Sequence, residues 1–117
     1  MTNQPTGAIK LPPPRLDSPT SIESALRRRR SVREFDRKPV TLLEVSQLLW
    51  AAQGLTDLEG KRTAPSAGAL YPLEVYVVAG KAGDLPAGVY RYRPEGHDLL
   101  LIAQGDQRAK LATAALG

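Results

Sequence analysis

The 117-residue chain is 42% hydrophobic, 24% charged and 5% aromatic, with ten glycines, ten prolines, one histidine and no cysteine. This composition is typical of one soluble domain at most, and it excludes disulfides, a cysteine nucleophile and metal sites built on thiolates or on several imidazoles. The sequence encodes neither a run of about 18 apolar residues nor a secretory signal, so we expect a cytoplasmic protein with no membrane partner.

The positive charge is concentrated in one short segment. Sixteen Lys and Arg against twelve Asp and Glu give the chain a net charge of +4. Residues 27–38 alone contain seven bases and two acids, a net charge of +5, which leaves the rest of the chain at −1. We interpret this concentration as suited to one localised anion rather than to a nucleic-acid backbone.

Residues 1–19 contain half of the prolines and show little apolar periodicity, which predicts an extended arm with polyproline character. The folded part is expected to begin near Thr20. Thr20 and Glu23 have the spacing of a capping box, in which each side chain satisfies a free backbone donor at a helix start. The helix that follows is predicted to have one apolar face, made of Ile22, Ala25 and Leu26.

A second capping box, at Thr41 and Glu44, predicts the strongest helix of the sequence. Apolar residues recur at helical spacing after it, and Gly54 stands where a C-terminal cap would end the helix. These apolar residues are Val45, Leu48, Leu49 and Ala52.

Three strands and a last helix are predicted after the loop that follows this helix. Residues 73–79 are rich in valine and tyrosine, and residues 88–93 and 98–103 form a hairpin around a Pro-Glu-Gly turn. Tyr90 and Tyr92 fall on one strand face, which core packing or a subunit contact explains more simply than ligand stacking does. Residues 106–116 have helical spacing, with Asp106 as the N-cap. The fold class is therefore α+β.

Two groups of residues could bind a ligand. Arg29 and Arg33 are four apart and could share a face if the helix persists, and Ser31, next to a helix end, offers a hydroxyl and a backbone donor. Such a group would suit a phosphate monoester. The alternative is a solvated helix end whose cations match the helix dipole. Residues 65–72 combine small residues with two prolines, so a flat ring could approach the backbone closely. The alternative there is a loop packed against protein.

His97 lies in the predicted hairpin turn. No serine or cysteine partner is implied nearby by the sequence. We therefore interpret it as a surface histidine without a role.

Two segments together resemble the nitroreductase family of flavoproteins. They are Arg29-Arg30-Ser31-Val32-Arg33-Glu34-Phe35 and the string from Arg62 to Tyr76, RTAPSAGALYPLEVY. The resemblance is closer to the SagB-type dehydrogenases, the branch that includes azoline oxidases of peptide natural-product biosynthesis. It extends over about residues 20–117 and implies the N-terminal portion of a nitroreductase-like fold, with helices packed on a small, mostly antiparallel sheet.

The resemblance also implies an FMN enzyme that is a homodimer, with each flavin at the subunit interface. By position, the residues expected at the ribityl phosphate end are Arg29, Arg30 and Ser31. Arg33 matches the basic residue near the flavin pyrimidine edge, where positive charge stabilises the reduced ring. The loop that the other subunit lays against the same flavin is matched by Pro65, Ser66 and Ala67.

The implied activity is flavin-mediated hydride transfer, either NAD(P)H-dependent reduction or azoline-type dehydrogenation, on a small molecule or a modified peptide. A member of this fold should continue past residue 117, so we expect residues 20–117 to be the N-terminal part of a domain and the chain to be a fragment. Catalytic residues are not assigned, and no metal site is expected.

Two other functions stay open at this point. Residues 27–38 could dock on a nucleic acid, although the acidic balance of the remaining chain and the lack of a base-stacking aromatic pattern argue against it. The chain could also be an inactive dimerisation remnant.

Overall fold

Four antiparallel strands and three α-helices form an α+β fold in residues 8–116, the part of the chain that the computed structural model describes. The strands are β1 (Ala8–Lys10), β2 (Tyr76–Ala79), β3 (Gly88–Arg93) and β4 (Asp98–Gln104). The helices are α1 (Ile22–Arg28), α2 (Leu42–Gln53) and α3 (Arg108–Ala114). The sheet order is β1-β4-β3-β2, so β3 and β4 lie at its centre.

The predicted hairpin is confirmed as β3 and β4. Tyr90 and Tyr92 share the buried face of β3, with 2% and 4% of their surface exposed. The register shifts inside the hairpin, because Val89 pairs with Ala103 whereas Tyr90 pairs with Leu101. The resulting bulge places one extra residue in β4 and leaves both tyrosines facing the core. This core also contains Leu11, Val45, Leu49, Ala79, Ala82, Leu85 and Leu99.

The second predicted capping box is also confirmed. The Glu44 backbone N–H donates to the Thr41 hydroxyl at 3.1 Å, and the Thr41 N–H donates to the Glu44 carboxylate at 2.9 Å. Gly54 ends α2 as predicted, and its N–H donates to the Trp50 carbonyl at 2.7 Å. The apolar face is narrower than predicted, because Val45 and Leu49 are buried whereas Leu48 and Ala52 are exposed.

The predicted start of α1 is wrong by one residue. Ser21 is the N-cap, and its hydroxyl accepts from the Ser24 N–H at 3.0 Å. No capping box forms between Thr20 and Glu23. The helix buries no residue, and the apolar face expected to pack inward is open to solvent, with Ile22 76% exposed.

The folded part begins before Thr20, although the sequence predicted its start near that residue. Ala8, Ile9 and Lys10 pair with Leu100, Leu99 and Asp98 at one edge of the sheet. Leu11 is only 1% exposed and belongs to the core. A short strand without alternating polarity carries no strong sequence signal, and its partner lies about ninety residues away. Residues 1–7 of the predicted arm lie outside the described part of the chain.

Two later elements are shorter than predicted. β2 begins at Tyr76 rather than at residue 73, and α3 begins at Arg108 with Gln107 as its N-cap instead of Asp106. The Asp106 carboxylate binds the Arg108 guanidinium, with an N–O distance of 2.7 Å, and this bond lowers the pKa of Asp106 to about 2. Within residues 8–116, none of the helices is both long and apolar enough to cross a membrane.

Candidate functional site

The basic segment runs from the last turn of α1 into an irregular, exposed stretch. Helix α1 ends at Arg28, and residues 29–40 form neither helix nor strand. Arg29 and Arg33 therefore do not share a helix face, which corrects the arrangement expected had the helix continued. Arg29, Arg30, Ser31 and Arg33 are all exposed to solvent. They are placed where a ligand could reach each of them.

Arg30 differs from the other arginines of the segment. Its Nη1 donates to the carbonyl oxygens of Arg27, at 3.1 Å, and of Arg29, at 2.7 Å. Carbonyls at the end of a helix lack partners within the helix, and a basic side chain is a common way to satisfy them. Arg30 thus caps α1 in this structure. Arg29 and Arg33 form no ion pair with any residue from 8 to 116, so their guanidinium groups are available.

The small-residue loop is held in shape by Ser66. The Tyr71 N–H donates to the Ser66 hydroxyl oxygen at 2.8 Å, and the Ala69 N–H donates to the Ser66 carbonyl at 3.1 Å. Between them, Ala67–Ala69 form a single 3₁₀ turn in which Gly68 has a φ of +67°. A side chain at Gly68 would meet only the Leu70 side chain, at 3.8 Å. The outer surface of the loop therefore consists of open backbone, small side chains and the exposed Leu70 side chain, which a flat ring could contact.

Arg62 anchors this loop to the rest of the fold. Its guanidinium lies 4.7 Å from the centre of the Tyr71 ring, a cation–π distance. Nη2 lies 3.8 Å from the Glu95 carboxylate, and Nη1 donates to the Gln53 side-chain oxygen at 3.5 Å. The side chain is only 17% exposed. Arg62 belongs to the string that resembles the nitroreductases, but nothing in the local sequence identified it as an anchor.

A cleft of about 200 Å³ lies between the loop and the hairpin, next to Arg62 and Tyr71. Its other arginines are paired: Arg91 lies 3.9 Å from Glu74, and Arg93 binds Asp98 through two bonds of 2.7 and 2.9 Å. Each arginine of the cleft thus has a carboxylate within ion-pair distance. The cleft does not extend the excess positive charge of the basic segment.

The structure does not join the two predicted groups of site residues to each other. Among the described residues, no hydrogen bond or ion pair links Arg29, Arg30, Ser31 and Arg33 to Pro65, Ser66 and Ala67. Each group nevertheless fits one part of a flavin mononucleotide. Available guanidinium groups beside a hydroxyl suit a phosphate monoester, and an open small-residue loop suits a planar ring. The residues therefore fit this cofactor in their chemistry.

The prediction that His97 is a surface histidine without a role is wrong. Its Nε2 lies 2.7 Å from Oγ of Ser46, and its Nδ1 lies 2.7 Å from the Tyr92 hydroxyl. Burial lowers the pKa of His97 and raises the pKa of Tyr92 to about 12. A serine partner is thus present, and it comes from a helix 51 residues earlier in the chain. No local pattern could reveal a contact of this range.

The chain has an α+β fold with an antiparallel sheet. Its exposed basic segment and its small-residue loop make it a candidate cofactor-binding protein. The sequence model of the Nitroreductase family matches residues 26–116, which include both groups of predicted site residues. The chain belongs to the nitroreductase family, and its fold is nitroreductase-like.

Individual proteins show the same relationship. A nitroreductase-type protein of Methanocaldococcus jannaschii, MJ1384, is 47% identical over 95 residues, which cover 81% of this chain and 48% of that protein. The trifolitoxin operon protein TfxC of Rhizobium leguminosarum bv. trifolii is 32% identical over 111 residues, covering 82% and 31% respectively. The chain therefore spans about half or less of the length of these relatives.

Two crystal structures are similar as well. A nitroreductase-type protein of Ralstonia eutropha JMP134 superposes with a TM-score of 0.76 at 41% identity, over 86% of this chain and 46% of that one. One from Anabaena variabilis ATCC 29413 superposes with a TM-score of 0.52 at 39% identity, over 60% and 16%. Both support the fold described above.

Proposed function

We propose that this chain supplies the phosphate-binding segment and a ring-contacting loop of an FMN-dependent oxidoreductase in the SagB-type branch of the nitroreductase family. One observation carries the proposal. Arg29 and Arg33 lie on either side of Ser31 in the sequence, within the residues that the family model matches. Both side chains are exposed, and neither forms an ion pair with any residue from 8 to 116. Arg29 and Ser31 suit a phosphate group, and the charge of Arg33 suits the electron-rich edge of a reduced flavin.

The residues have distinct proposed roles. Arg29 and Ser31 bind the phosphate, and Arg33 contributes positive charge at the pyrimidine edge of the flavin. Arg30 joins the phosphate site only after its guanidinium leaves the α1 carbonyls, so its contribution to affinity is smaller than that of Arg29.

Pro65, Ser66 and Ala67 contact the ring through open backbone, and Ser66 also maintains the loop shape through its bond from Tyr71. FMN, when bound, supplies the hydride-transfer chemistry of the family. The residues of this chain bind and orient the cofactor.

We further propose a homodimer in which one subunit's loop lies against the flavin held by the other subunit's basic segment. The separation of the two groups within one chain supports this arrangement. Exposed apolar residues near the basic segment also support it, because surfaces of this kind are commonly covered by a partner. Val32 is 63% exposed and Phe35 is 82% exposed.

The substrate class is part of the proposal. The relative TfxC is named for a trifolitoxin operon, which supports a role in maturing a toxin-like natural product. A small molecule or a modified peptide would then be the substrate, with NAD(P)H as a possible electron donor when the reaction runs as a reduction. Assays of the purified protein with NAD(P)H and with azoline-containing peptides would distinguish NAD(P)H-dependent reduction from azoline dehydrogenation.

The first experiment measures FMN affinity by flavin fluorescence quenching, together with the molar mass by light scattering. We expect retained flavin on a dimer. Arg29→Gln and Arg33→Gln should each weaken FMN binding by about tenfold or more, as expected for a lost charge-assisted hydrogen bond. Riboflavin, which lacks the phosphate, should bind weakly and should respond little to Arg29→Gln.

Arg28→Gln is the matched control. It removes the same charge from the same exposed segment but from a residue with no proposed ligand role. If Arg28→Gln weakens FMN binding as much as Arg29→Gln does, only the general charge of the segment matters. Absence of FMN binding by the wild-type chain would contradict the proposal.

A further inference from the structure

A partly buried hydrogen-bond network around His97 joins three separate parts of the fold. Nε2 of His97 lies 2.7 Å from Oγ of Ser46, in α2, and 3.1 Å from the carbonyl oxygen of Pro12. Nδ1 lies 2.7 Å from the hydroxyl of Tyr92, in β3. The backbone adds another link, because the Leu11 N–H donates to the His97 carbonyl at 3.1 Å. One histidine thus contacts the N-terminal segment, a helix and the central hairpin.

The donors and acceptors of this network can all be paired when the imidazole is neutral. The Ser46 hydroxyl donates to the Pro12 carbonyl at 2.5 Å, which leaves its oxygen free to accept from Nε2–H. The Tyr92 hydroxyl then donates to the unprotonated Nδ1. The other tautomer would leave the Tyr92 O–H without an acceptor among residues 8–116. The network therefore favours a neutral His97 with its proton on Nε2.

A catalytic role for this serine and histidine does not fit their burial. Ser46 is 0% exposed, and its hydroxyl is already bonded to the Pro12 carbonyl. Tyr92 is 4% exposed. Because no substrate can reach the serine, it cannot act as a nucleophile. The network connects elements of the fold and does not form a reaction centre.

The charged groups around His97 come from both ends of the chain. Burial is the largest influence that lowers the pKa of His97, and the ammonium of Lys10, which donates to the Gly96 carbonyl, lowers it further. The Pro12 carbonyl and the Asp98 carboxylate act in the opposite direction. Asp98 is itself bound to an arginine, and Tyr92 and Ser46 carry no charge near neutral pH. The surroundings as a whole disfavour the imidazolium.

We propose that His97 is an acid-sensitive clamp that fastens residues 8–14 to α2 and to the β3–β4 hairpin. The clamp is closed while the imidazole is neutral. A proton on Nδ1 turns the acceptor of the Tyr92 hydroxyl into a donor and places a positive charge near Lys10. When residues 8–14 detach, His97 gains access to water and Lys10 moves away. Protonation and detachment therefore favour each other by linkage.

The predicted consequence is local rather than global. Among residues 8–116, strand β1 lies at the edge of the sheet and pairs only with β4, whereas β3 and β4 pair with each other at the centre. Mild acid should therefore loosen residues 8–14 while β3 and β4 stay paired. The detached segment would uncover one edge of β4 and the pocket that Leu11 occupies.

Amide hydrogen exchange followed by NMR on the whole chain tests this proposal. Between about pH 7.5 and about pH 5, after correction for intrinsic exchange rates, the protection of the Leu11 amide should fall by about threefold or more. The protection of the Tyr92 amide, which donates to the Val75 carbonyl at 2.9 Å, should change little. The chain has one histidine, so a single imidazole resonance reports the protonation of His97 and should follow the same pH dependence.

Two variants distinguish the clamp from a general effect of acid. His97 has a φ of +48°, and asparagine tolerates this region better than most residues, so His97→Asn removes the titrating ring with little backbone cost. It should give a Leu11 amide whose weak protection no longer depends on pH. Lys10→Gln retains the histidine but removes the nearby charge, so it should shift the transition of both the amide and the imidazole to higher pH.

Three results would overturn the clamp. They are equal loss of protection at Leu11 and Tyr92 in the wild type, Leu11 protection that does not change over this range, and an unaltered response in Lys10→Gln. All three measurements stay informative even if His97→Asn does not fold.

Discussion

The guanidinium of Arg62 lies 4.7 Å from the centre of the Tyr71 ring, so a residue just before the small-residue loop contacts one near the end of that loop. The same guanidinium reaches Glu95 in the hairpin turn and Gln53 at the end of α2. The loop proposed to contact the flavin ring is therefore supported by one side chain that bridges a helix and a hairpin.

We expect Arg62→Lys to lower the free energy of unfolding by about 1 kcal/mol, because an ammonium can neither stack on Tyr71 as a plane nor reach two partners as a fork. Urea denaturation would measure this change. Arg91→Lys serves as the control, since its one ion pair, to Glu74, is 3.9 Å long and partly exposed. An equal loss in both variants would indicate that stacking on Tyr71 contributes nothing.

Alkaline pH should destabilise the chain through Tyr92. Burial raises the pKa of this phenol from 10.0 to about 12, so the folded state keeps a proton that the unfolded state releases. The resulting stabilisation is complete below pH 10 and is lost as the pH rises from 10 to 12. It is on the order of 2 kcal/mol. Urea midpoints measured across this range should fall less steeply in Tyr92→Phe than in the wild type, and equal slopes would refute the assignment.

The two predicted capping boxes provide a matched pair of variants. Thr41→Ala removes a hydroxyl that accepts the Glu44 N–H, and we expect it to cost about 1 kcal/mol of unfolding free energy. Thr20→Ala should change this free energy by only a few tenths of a kcal/mol, because Ser21 caps α1 instead. Thermal unfolding followed by circular dichroism compares them. A larger effect at Thr20 would show that the first box forms in solution.

Gly54 should not tolerate a side chain. Its φ of −67° would suit alanine, but a Cβ there would lie 2.1 Å from Cδ1 of Trp50 and 2.6 Å from the Trp50 carbonyl oxygen. Gly54→Ala therefore requires both the indole and the backbone at the end of α2 to move, and we expect a loss of about 1 to 3 kcal/mol. Trp50 is the only tryptophan, so its fluorescence spectrum reports the movement directly. An unchanged emission maximum at unchanged stability would contradict this account.

Features with local signals could be predicted from the sequence. The capping box at Thr41, the cap at Gly54 and the hairpin around a Pro-Glu-Gly turn each depend on residues within a few positions of one another, and each is present. The chemistry of Arg29, Ser31 and Arg33 is likewise evident from their residue types. That assignment of site residues stays a prediction.

Features that depend on distant partners could not be predicted. The environment of His97 depends on Ser46 and Pro12, which are 51 and 85 residues away in sequence. Strand β1 is too short for a periodic pattern to be recognised. The role of Arg62 depends on Glu95, which follows β2 and β3 in the sequence. The last residue of α1 could not be predicted for a different reason, since arginine favours helices and nothing in a run of four marks where the helix stops.

The exposed apolar side chains of α1 have a practical consequence for handling the chain. Ile22 and Leu26 are at least 70% exposed, so a hydrophobic dye such as anilinonaphthalene sulfonate has sites on the fully folded molecule. The cationic segment beside them would also attract the dye's sulfonate group. Dye fluorescence would therefore be high before any unfolding begins, and thermal-shift screens based on such dyes would yield inverted or flat curves.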